Sequence, residues 1–242
     1  MRYGLISDIH GNLEAFQAVL DALSKERIDE YLSIGDVVGY GADPGACMRL
    51  IKSIKPQALI AGNHDWGVVG LTDIGYFNDM ARAAVIWTRG VLGRDELDYL
   101  KTFRLVYERG DIILVHGTLV QPENFSYMLS AYDAYSTMEA MKACLCFVGH
   151  SHVPGIFYLQ DDRAMPARPS RFKIDRRKKY VVNVGSIGQP RDYDPRASYC
   201  VYDDEECTVE IKRIEYDIKR AQGKILKAGL PQELAFRLSR GM

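Results

Sequence analysis

The sequence has no apolar run near the roughly 20 residues that a membrane-spanning helix needs, and its opening, "MRYGLISDIHG", lacks the design of a secretion signal. Both absences argue against a membrane partner. Neither sign of charge dominates: 31 Lys and Arg stand against 32 Asp and Glu, a formal net charge of −1. A chain so balanced has no global field to draw it to nucleic acid or to an anionic bilayer. Cysteine is scarce, five residues without repeating spacing. An odd, irregular set builds no disulfide framework and suits a reducing cytoplasm, the expected location. Cys144 and Cys146, two apart in an apolar run, read as core thiols on one face of a strand rather than as metal ligands. Repeats and low-complexity linkers are absent too. One domain is therefore expected over residues 1–242, with a helical insertion over about 66–110 and a hairpin and helical tail over about 196–242.

What is present in the first half is an alternation of apolar periods. Residues 2–7 read as a strand, and "NLEAFQAVLDALSKE" places Leu13, Phe16, Val19, Leu20 and Leu23 at helical spacing behind Asn12 as cap. "EYLSIG" is the next strand, "PGACMRLIKSIK" a helix opened by Pro44, and "QALIAG" a third strand. This order predicts βαβ units and a mainly parallel sheet. Residues 77–103 read as two helices parted near Gly93. Strands follow at 111–116, 145–149, 155–160, 171–175 and 180–184, then a hairpin turning at Asp203–Glu206. From Tyr216 the chain reads as helical. The spacing alone yields an α/β fold with added antiparallel strands.

Histidine is the informative scarcity. All five residues follow short apolar segments and stand beside glycine or a carboxylate: His10 in "LISDIHGN", His64 in "ALIAGNHDW", His116 in "IILVHGT", His150 and His152 in "CFVGHSHVPG". Five strands thus end in Asp8 and His10, Asp36, Asn63 to Asp65, His116, and His150 with His152. The carboxyl edge of an open α/β sheet is where loops converge into a site. Carboxylate, imidazole and amide oxygen without thiolate suit Mn²⁺, Fe or Zn²⁺. Asp8, His10, Asp36, Asn63, His116, His150 and His152 are too many donors for one ion. They suit two ions roughly 3.5–4 Å apart sharing a carboxylate, the clamp of hydrolytic phosphoryl-transfer sites.

The series "DIHGN", "GDVVGYG", "GNHD", "VHGT" and "GHSH", in order over residues 4–152, resembles the calcineurin-like metallophosphoesterases. "GDVVGYGADP", "ARAAVIWTRG" and "NVGSIGQPRDYDPRASY" look like the bacterial and archaeal branch related to diadenosine tetraphosphatases and small phosphodiesterases. Asp65 stands where that pattern also admits Glu. The resemblance implies a four-layer α/β/β/α sandwich of two mixed sheets flanked by helices. It also implies a division of ligands: Asp8, His10 and His152 on one ion, Asn63, His116 and His150 on the other, and Asp36 bridging. The cofactor expected is a pair of divalent ions, Mn²⁺ first, with Fe, Zn²⁺ or Ni²⁺ as alternatives.

Two M²⁺ ions bring four positive charges against two from Asp8 and Asp36. That surplus favours a bridging hydroxide and an incoming phosphate, the hydroxide forming because coordination lowers the pKa of water toward about 7. His64 is the expected general acid for the leaving oxygen, oriented by Asp65, the alternative being one more ligand. Three residues are candidate substrate contacts, each with a plainer reading. Asn12 caps a helix, Tyr40 is an exposed loop residue, and Arg191 pairs with Asp192 or Asp194. The basic run "RFKIDRRKK" reads as a solvated hairpin, so bulk nucleic-acid binding is not expected. The predicted activity is hydrolysis of a phosphodiester or nucleotide-type ester. A phosphomonoesterase, a protein phosphatase and a non-catalytic scaffold are the alternatives, and specificity is expected in segments 66–110 and 118–140.

Overall fold

Residues 1–242 are described by a computed structural model. Three parallel strands, β1 (Arg2–Ile6), β2 (Glu30–Ser33) and β3 (Ala58–Leu59), are joined by helices α1 (Leu13–Leu23) and α2 (Pro44–Ser53). Asn12 caps α1 by accepting the Ala15 N–H, and Pro44 opens α2, where its missing N–H costs nothing. Helices α3 (Asn63–Val69), α4 (Asp79–Val91) and α5 (Arg94–Leu100) follow, Gly93 forming the cap between the last two. Next come β4 (Val106–Arg109), β5 (Ile112–Val115), α6 (Ala131–Ala140), β6 (Leu145–Val148), β7 (Gly155–Gln160), β8 (Arg163–Ala167), β9 (Arg171–Lys173) and β10 (Tyr180–Asn183). The hairpin β11 (Ala197–Asp203) and β12 (Thr208–Ile214) turns at the predicted acidic residues, and α7 (Ile218–Lys227) and α8 (Gln232–Phe236) form the tail.

The strands make two six-stranded sheets, β3-β2-β1-β11-β12-β9 and β4-β5-β6-β10-β7-β8. The first sheet is parallel in one half (β1 to β3) and the second at its centre (β5, β6 and β10), and antiparallel strands complete each, so both sheets are mixed. The period of two assigns the layers. Leu145 and Phe147 of β6 pack with Leu5, Leu114, Val182 and Tyr202 between the sheets. Cys146 and Val148 face the other way, onto Ala134 and Met138 of α6. Ile6 and Val201 of the first sheet pack outward on Phe16, Val19, Met48 and Ile51. The order helix, sheet, sheet, helix is therefore an α/β/β/α sandwich. No helix is long and apolar enough to cross a membrane.

Four elements lack a strong sequence signal. Helix α6 buries Ala134, Thr137 and Met138, a face too small and polar to show a period. Strands β4 and β8 lie at sheet edges and stay partly exposed, and α3 grows out of the "GNHD" turn. The cysteine reading needs one correction. Cys144 precedes β6 and joins the core between the sheets, whereas Cys146 faces α6; all five thiols are free. In the basic run, Arg171 pairs with Glu210, Arg176 with Asp111 and Asp204, and Arg177 with Asp175.

Candidate metal centre

The loops beyond the carboxyl ends of β1, β2, β5 and β6, with the start of α3, bring Asp8, His10, Asp36, Asn63, His116, His150 and His152 to one place between the sheets. All but Asn63 are fully buried. Two groups of donors emerge, each with its ligand atoms within 4.8 Å of one another: Asp8, His10, Asp36 and His152, and Asp36, His116 and His150. Asp36 belongs to both.

The hydrogen bonds decide which imidazole nitrogen faces inward. Nδ1 of His10 lies 3.2 Å from the Val38 carbonyl, that of His116 2.7 Å from Ile34, and that of His152 2.6 Å from Gln189. A carbonyl only accepts, so each Nδ1 donates and each Nε2 faces the other donors. On the neutral rings of His10 and His152 that nitrogen presents a lone pair, and on His116 it must lose its proton to bind metal. Nε2 of His10 and of His152 then stand 3.0 Å apart with no proton between them. Nε2 of His116 lies 3.3 Å from Asp36 Oδ2. Asp36 Oδ2, Asn63 Oδ1 and His116 Nε2 are buried without a hydrogen-bond partner. Converging lone pairs and orphaned buried acceptors repel one another unless a cation stands among them. The donor set fits divalent ions.

The electrostatics agree. Burial pushes the Asp8 carboxyl up, but its interactions with His152, His116 and Ser7 outweigh this and hold it below the usual carboxylate range. Asp36 is likewise held ionised against its burial, chiefly by His116. Burial drives His10 and His150 well down, so both are neutral. Burial also opposes a proton on His116, yet Asp36 and Asp8 raise it to about 9. One proton thus holds the two carboxylates together, and metal binding releases such a proton.

The backbone is bent to aim these donors. Asp8, His10, Asp36, His150 and His152 all have φ between +48° and +62°. That left-handed region costs a non-glycine residue on the order of 1 kcal/mol or more, and such strain clusters at functional sites. Two glycines allow the close approach. A Cβ on Gly62 would overlap the Asp36 carboxylate, and one on Gly149 would overlap Ser7 Oγ and Asp8 Oδ2. Gly149→Ala is expected to destabilise the protein by about 1–3 kcal/mol, as overpacking does, and to lower metal content. An unchanged melting temperature with full metal content would show that the Asp8 loop is not so constrained.

His64 lies against Tyr40, His10 and Phe77, with ring centroids at 4.3, 4.9 and 5.3 Å. Its Nδ1 is enclosed without a partner beside Gly39, which leaves Nε2 as the accessible nitrogen. Burial lowers its pKa to about 4, so the ring of the free protein is neutral. Asp65 does not orient it. The Asp65 carboxylate accepts the N–H groups of Asp36, Val37, Val38 and Gly62 at 2.8–3.3 Å. Helix α3 turns its side chain inward, toward the loop that carries Asp36. Asp65 therefore positions that carboxylate rather than the His64 ring. Burial and the charge of Asp36 raise the Asp65 pKa, opposed by the N–H groups it accepts.

The candidate substrate contacts fare differently. Both polar atoms of the Asn12 side chain have partners within the protein: Oδ1 caps α1 and Nδ2 donates to the Gly188 carbonyl at 2.9 Å. It is structural. Tyr40 is buried, not exposed on a loop, and its ring touches both His10 and His64. Arg191 has no carboxylate partner, because Asp192 pairs with Arg213 and Asp194 with Arg196. Its guanidinium lies over the Tyr40 ring at 5.7 Å, bonds Gln189 Oε1 at 2.9 Å, and keeps a buried Nε without a partner.

Residues outside the motif pattern hold the site together. Ser7 donates to Asp8 Oδ2 at 2.6 Å, Ser186 to the Asp8 carbonyl at 2.9 Å, and Asn183 to the Gly149 carbonyl at 2.7 Å. Their partners are far away in sequence, so no spacing rule finds them. Beside Asn63, His64 and His150 opens a cavity of about 520 Å³. Tyr40, Tyr76, Phe77, Phe125 and Tyr127 contribute aromatic walls, and Asp73 and Glu123 are its only charged residues. Tyr127 stacks on His150 with centroids 3.8 Å apart.

Comparison with known proteins decides the family. The profile of the calcineurin-like phosphoesterase superfamily domain matches residues 1–206. The chain belongs to that family. A metallophosphoesterase of Sphaerobacter thermophilus is similar to this calcineurin-like phosphoesterase along its whole length. The two chains are 36% identical, with a TM-score of 0.88 and coverage of 100% and 99%. An uncharacterized protein of Methanocaldococcus jannaschii is 38% identical over 98% of this chain and 97% of its own. A local likeness links residues here to the symmetrical bis(5'-nucleosyl)-tetraphosphatase of Glaesserella parasuis, 33% identical over 63 residues, 25% of this chain and 23% of that one. Membership makes the protein a hydrolase of phosphate esters that depends on a dinuclear metal site, for which the cluster around Asp36 is the candidate.

Proposed function

We propose that this protein hydrolyses a phosphodiester of nucleotide type. Asp8, His10 and His152 would hold one divalent ion, Asn63, His116 and His150 the other, and Asp36 both. The observation that carries the substrate class is the junction of this cluster with a cavity that is aromatic, free of cations and about 520 Å³ in volume. Its volume suits a small molecule rather than a protein segment, and its walls suit a flat, neutral group attached to the reacting phosphate. The bis(5'-nucleosyl)-tetraphosphatase likeness points the same way. Oxygen and imidazole donors without thiolate favour Mn²⁺, with Fe, Zn²⁺ or Ni²⁺ as alternatives.

When bound, the ions supply Lewis-acid charge and a water made acidic enough to react near neutral pH. The chain's own groups do the rest. Arg191, uncompensated and close to His152, binds the non-bridging phosphate oxygens. Asp65 fixes the Asp36 loop. An anionic phosphoryl group beside His64 favours its protonated form, and Nε2 then gives a proton to the leaving oxygen. Tyr40 and Phe77 pack against that ring and hold it in place, with Nε2 toward the cavity.

A panel with Mn²⁺ tests the reading: a nucleoside phosphodiester, a nucleoside monophosphate, a dinucleoside polyphosphate and a phosphopeptide. The diester is expected to show the highest kcat/KM. Faster turnover of the phosphopeptide would make the protein a phosphatase instead.

A further inference from the structure

The cavity has a side. His64, Asn63 and His150 form its inner wall, and Arg191 is absent from its lining. Tyr40 touches both regions, with His64 on the cavity side and the Arg191 guanidinium over its ring. The charges divide in the same way. Arg191 carries an unpaired positive charge on the His152 side, while the acidic side chains Asp73 and Glu123 line the cavity away from the metal ligands and no Lys or Arg does. A second phosphate group or an acidic peptide would be repelled there, and a neutral heteroaromatic ring would not.

The rim strengthens this assignment. Tyr76 is 92% exposed and Tyr127 47% exposed, both on the cavity wall. Large rings left so open beside an apolar hollow gain most when a flat partner covers them. Amides of Asn78 and Asn124 also line the cavity; Oδ1 of Asn78 accepts the Ala81 N–H and Nδ2 of Asn124 donates to Gln121, which leaves Asn78 Nδ2 and Asn124 Oδ1 for a ligand.

We propose that this cavity receives the leaving group, a nucleoside, while the phosphoryl group and its other substituent stay on the Arg191 side. The proposal rests on the phosphodiesterase reading and adds which ester bond breaks. Water adds its oxygen to phosphorus as the bond from phosphorus to the nucleoside oxygen breaks. One water proton reaches the nucleoside oxygen by way of His64, and the other is released with the product. The products are a free nucleoside and a phosphate monoester of the second alcohol.

The methyl diester of adenosine 5'-phosphate tests the direction, because its two alcohols leave with similar difficulty. With the full-length, Mn²⁺-loaded protein, adenosine and methyl phosphate are expected. Methanol and adenosine 5'-phosphate, or an even mixture, would overturn the proposal while leaving the phosphodiesterase reading intact. If this diester and bis(4-nitrophenyl) phosphate both resist hydrolysis, that reading falls and the proposal with it. Hydrolysis of the nitrophenyl diester alone would overturn only the cavity assignment.

Product inhibition gives a second readout. Adenosine, but not ribose, is expected to inhibit hydrolysis of bis(4-nitrophenyl) phosphate. Tyr76→Ala, at a position too exposed to threaten folding, is expected to weaken that inhibition from about fivefold to about a hundredfold, the contribution of one base stacked on an aromatic side chain. Equal inhibition of the wild type and the variant by adenosine, or inhibition by ribose, would remove the cavity as a nucleoside site.

Discussion

Asp36→Asn is expected to weaken both metal positions at once and to lower activity by at least about 10³-fold. Metal charge contributes several kcal/mol to such transition states, and each 1.36 kcal/mol is a factor of ten. The expectation follows from Asp36 standing in both donor groups and from its Oδ2 lacking any other partner. An amide keeps the shape but removes one of the two negative charges that the ions require. Elemental analysis should find close to two ions per chain in the wild type after loading and far fewer in the variant. His152→Ala, by contrast, should empty mainly one position. Metal that binds the native state alone at 100 times its dissociation constant stabilises it by about 2.7 kcal/mol. Added Mn²⁺ should therefore raise the melting temperature of the wild type and scarcely move that of Asp36→Asn. Full activity of Asp36→Asn at limiting Mn²⁺ would refute the shared position.

His64→Ala should show a loss that depends on the leaving group. A nitrophenyl anion departs without help, whereas a ribose alkoxide needs a proton. General acid catalysis contributes about 10²–10⁴ in rate, so kcat for a nucleoside ester should fall by that order and kcat for a nitrophenyl ester far less. Metal content should not change, because His64 is in neither donor group. Equal losses on both substrates would make the ring a phosphate contact, and loss of an ion would make it a ligand. Asp65→Asn now separates from His64→Ala. Its carboxylate accepts four backbone N–H groups around Asp36 and Gly62, and an amide nitrogen cannot accept. The variant should melt lower and bind metal less well, with similar losses on both substrates. A leaving-group-selective loss in Asp65→Asn would restore the orienting role that the adjacent positions of His64 and Asp65 suggest.

Several features were legible in the sequence by itself because each is recorded in short-range pattern. The periods of β1, α1, β2 and α2 state which face of each element is apolar. The strand ends after those periods state where Asp8, His10, Asp36, His116, His150 and His152 emerge. Donor chemistry follows from residue type alone, as does the membership that the ordered motifs implied. The segments in which specificity was expected, 66–110 and 118–140, supply Tyr76, Phe77, Phe125 and Tyr127 to the cavity wall.

Tertiary structure alone decided what each polar atom does, because hydrogen bonds and ion pairs join residues far apart in the chain. Asp65 neighbours His64 in sequence, yet its helix turns the carboxylate toward backbone groups 27–29 positions earlier. Asp192 and Asp194 closely follow Arg191 in the chain, yet Arg213 and Arg196 claim both and leave its guanidinium uncompensated. The inward Nε2 of His10, His116 and His152 depends on carbonyls of Val38, Ile34 and Gln189. The left-handed backbone at five donors persists only because the loops from both sheets lock together around it. Local pattern fixes which groups reach the carboxyl edge; packing between the two sheets fixes their protonation, their direction and the aromatic hollow beside them.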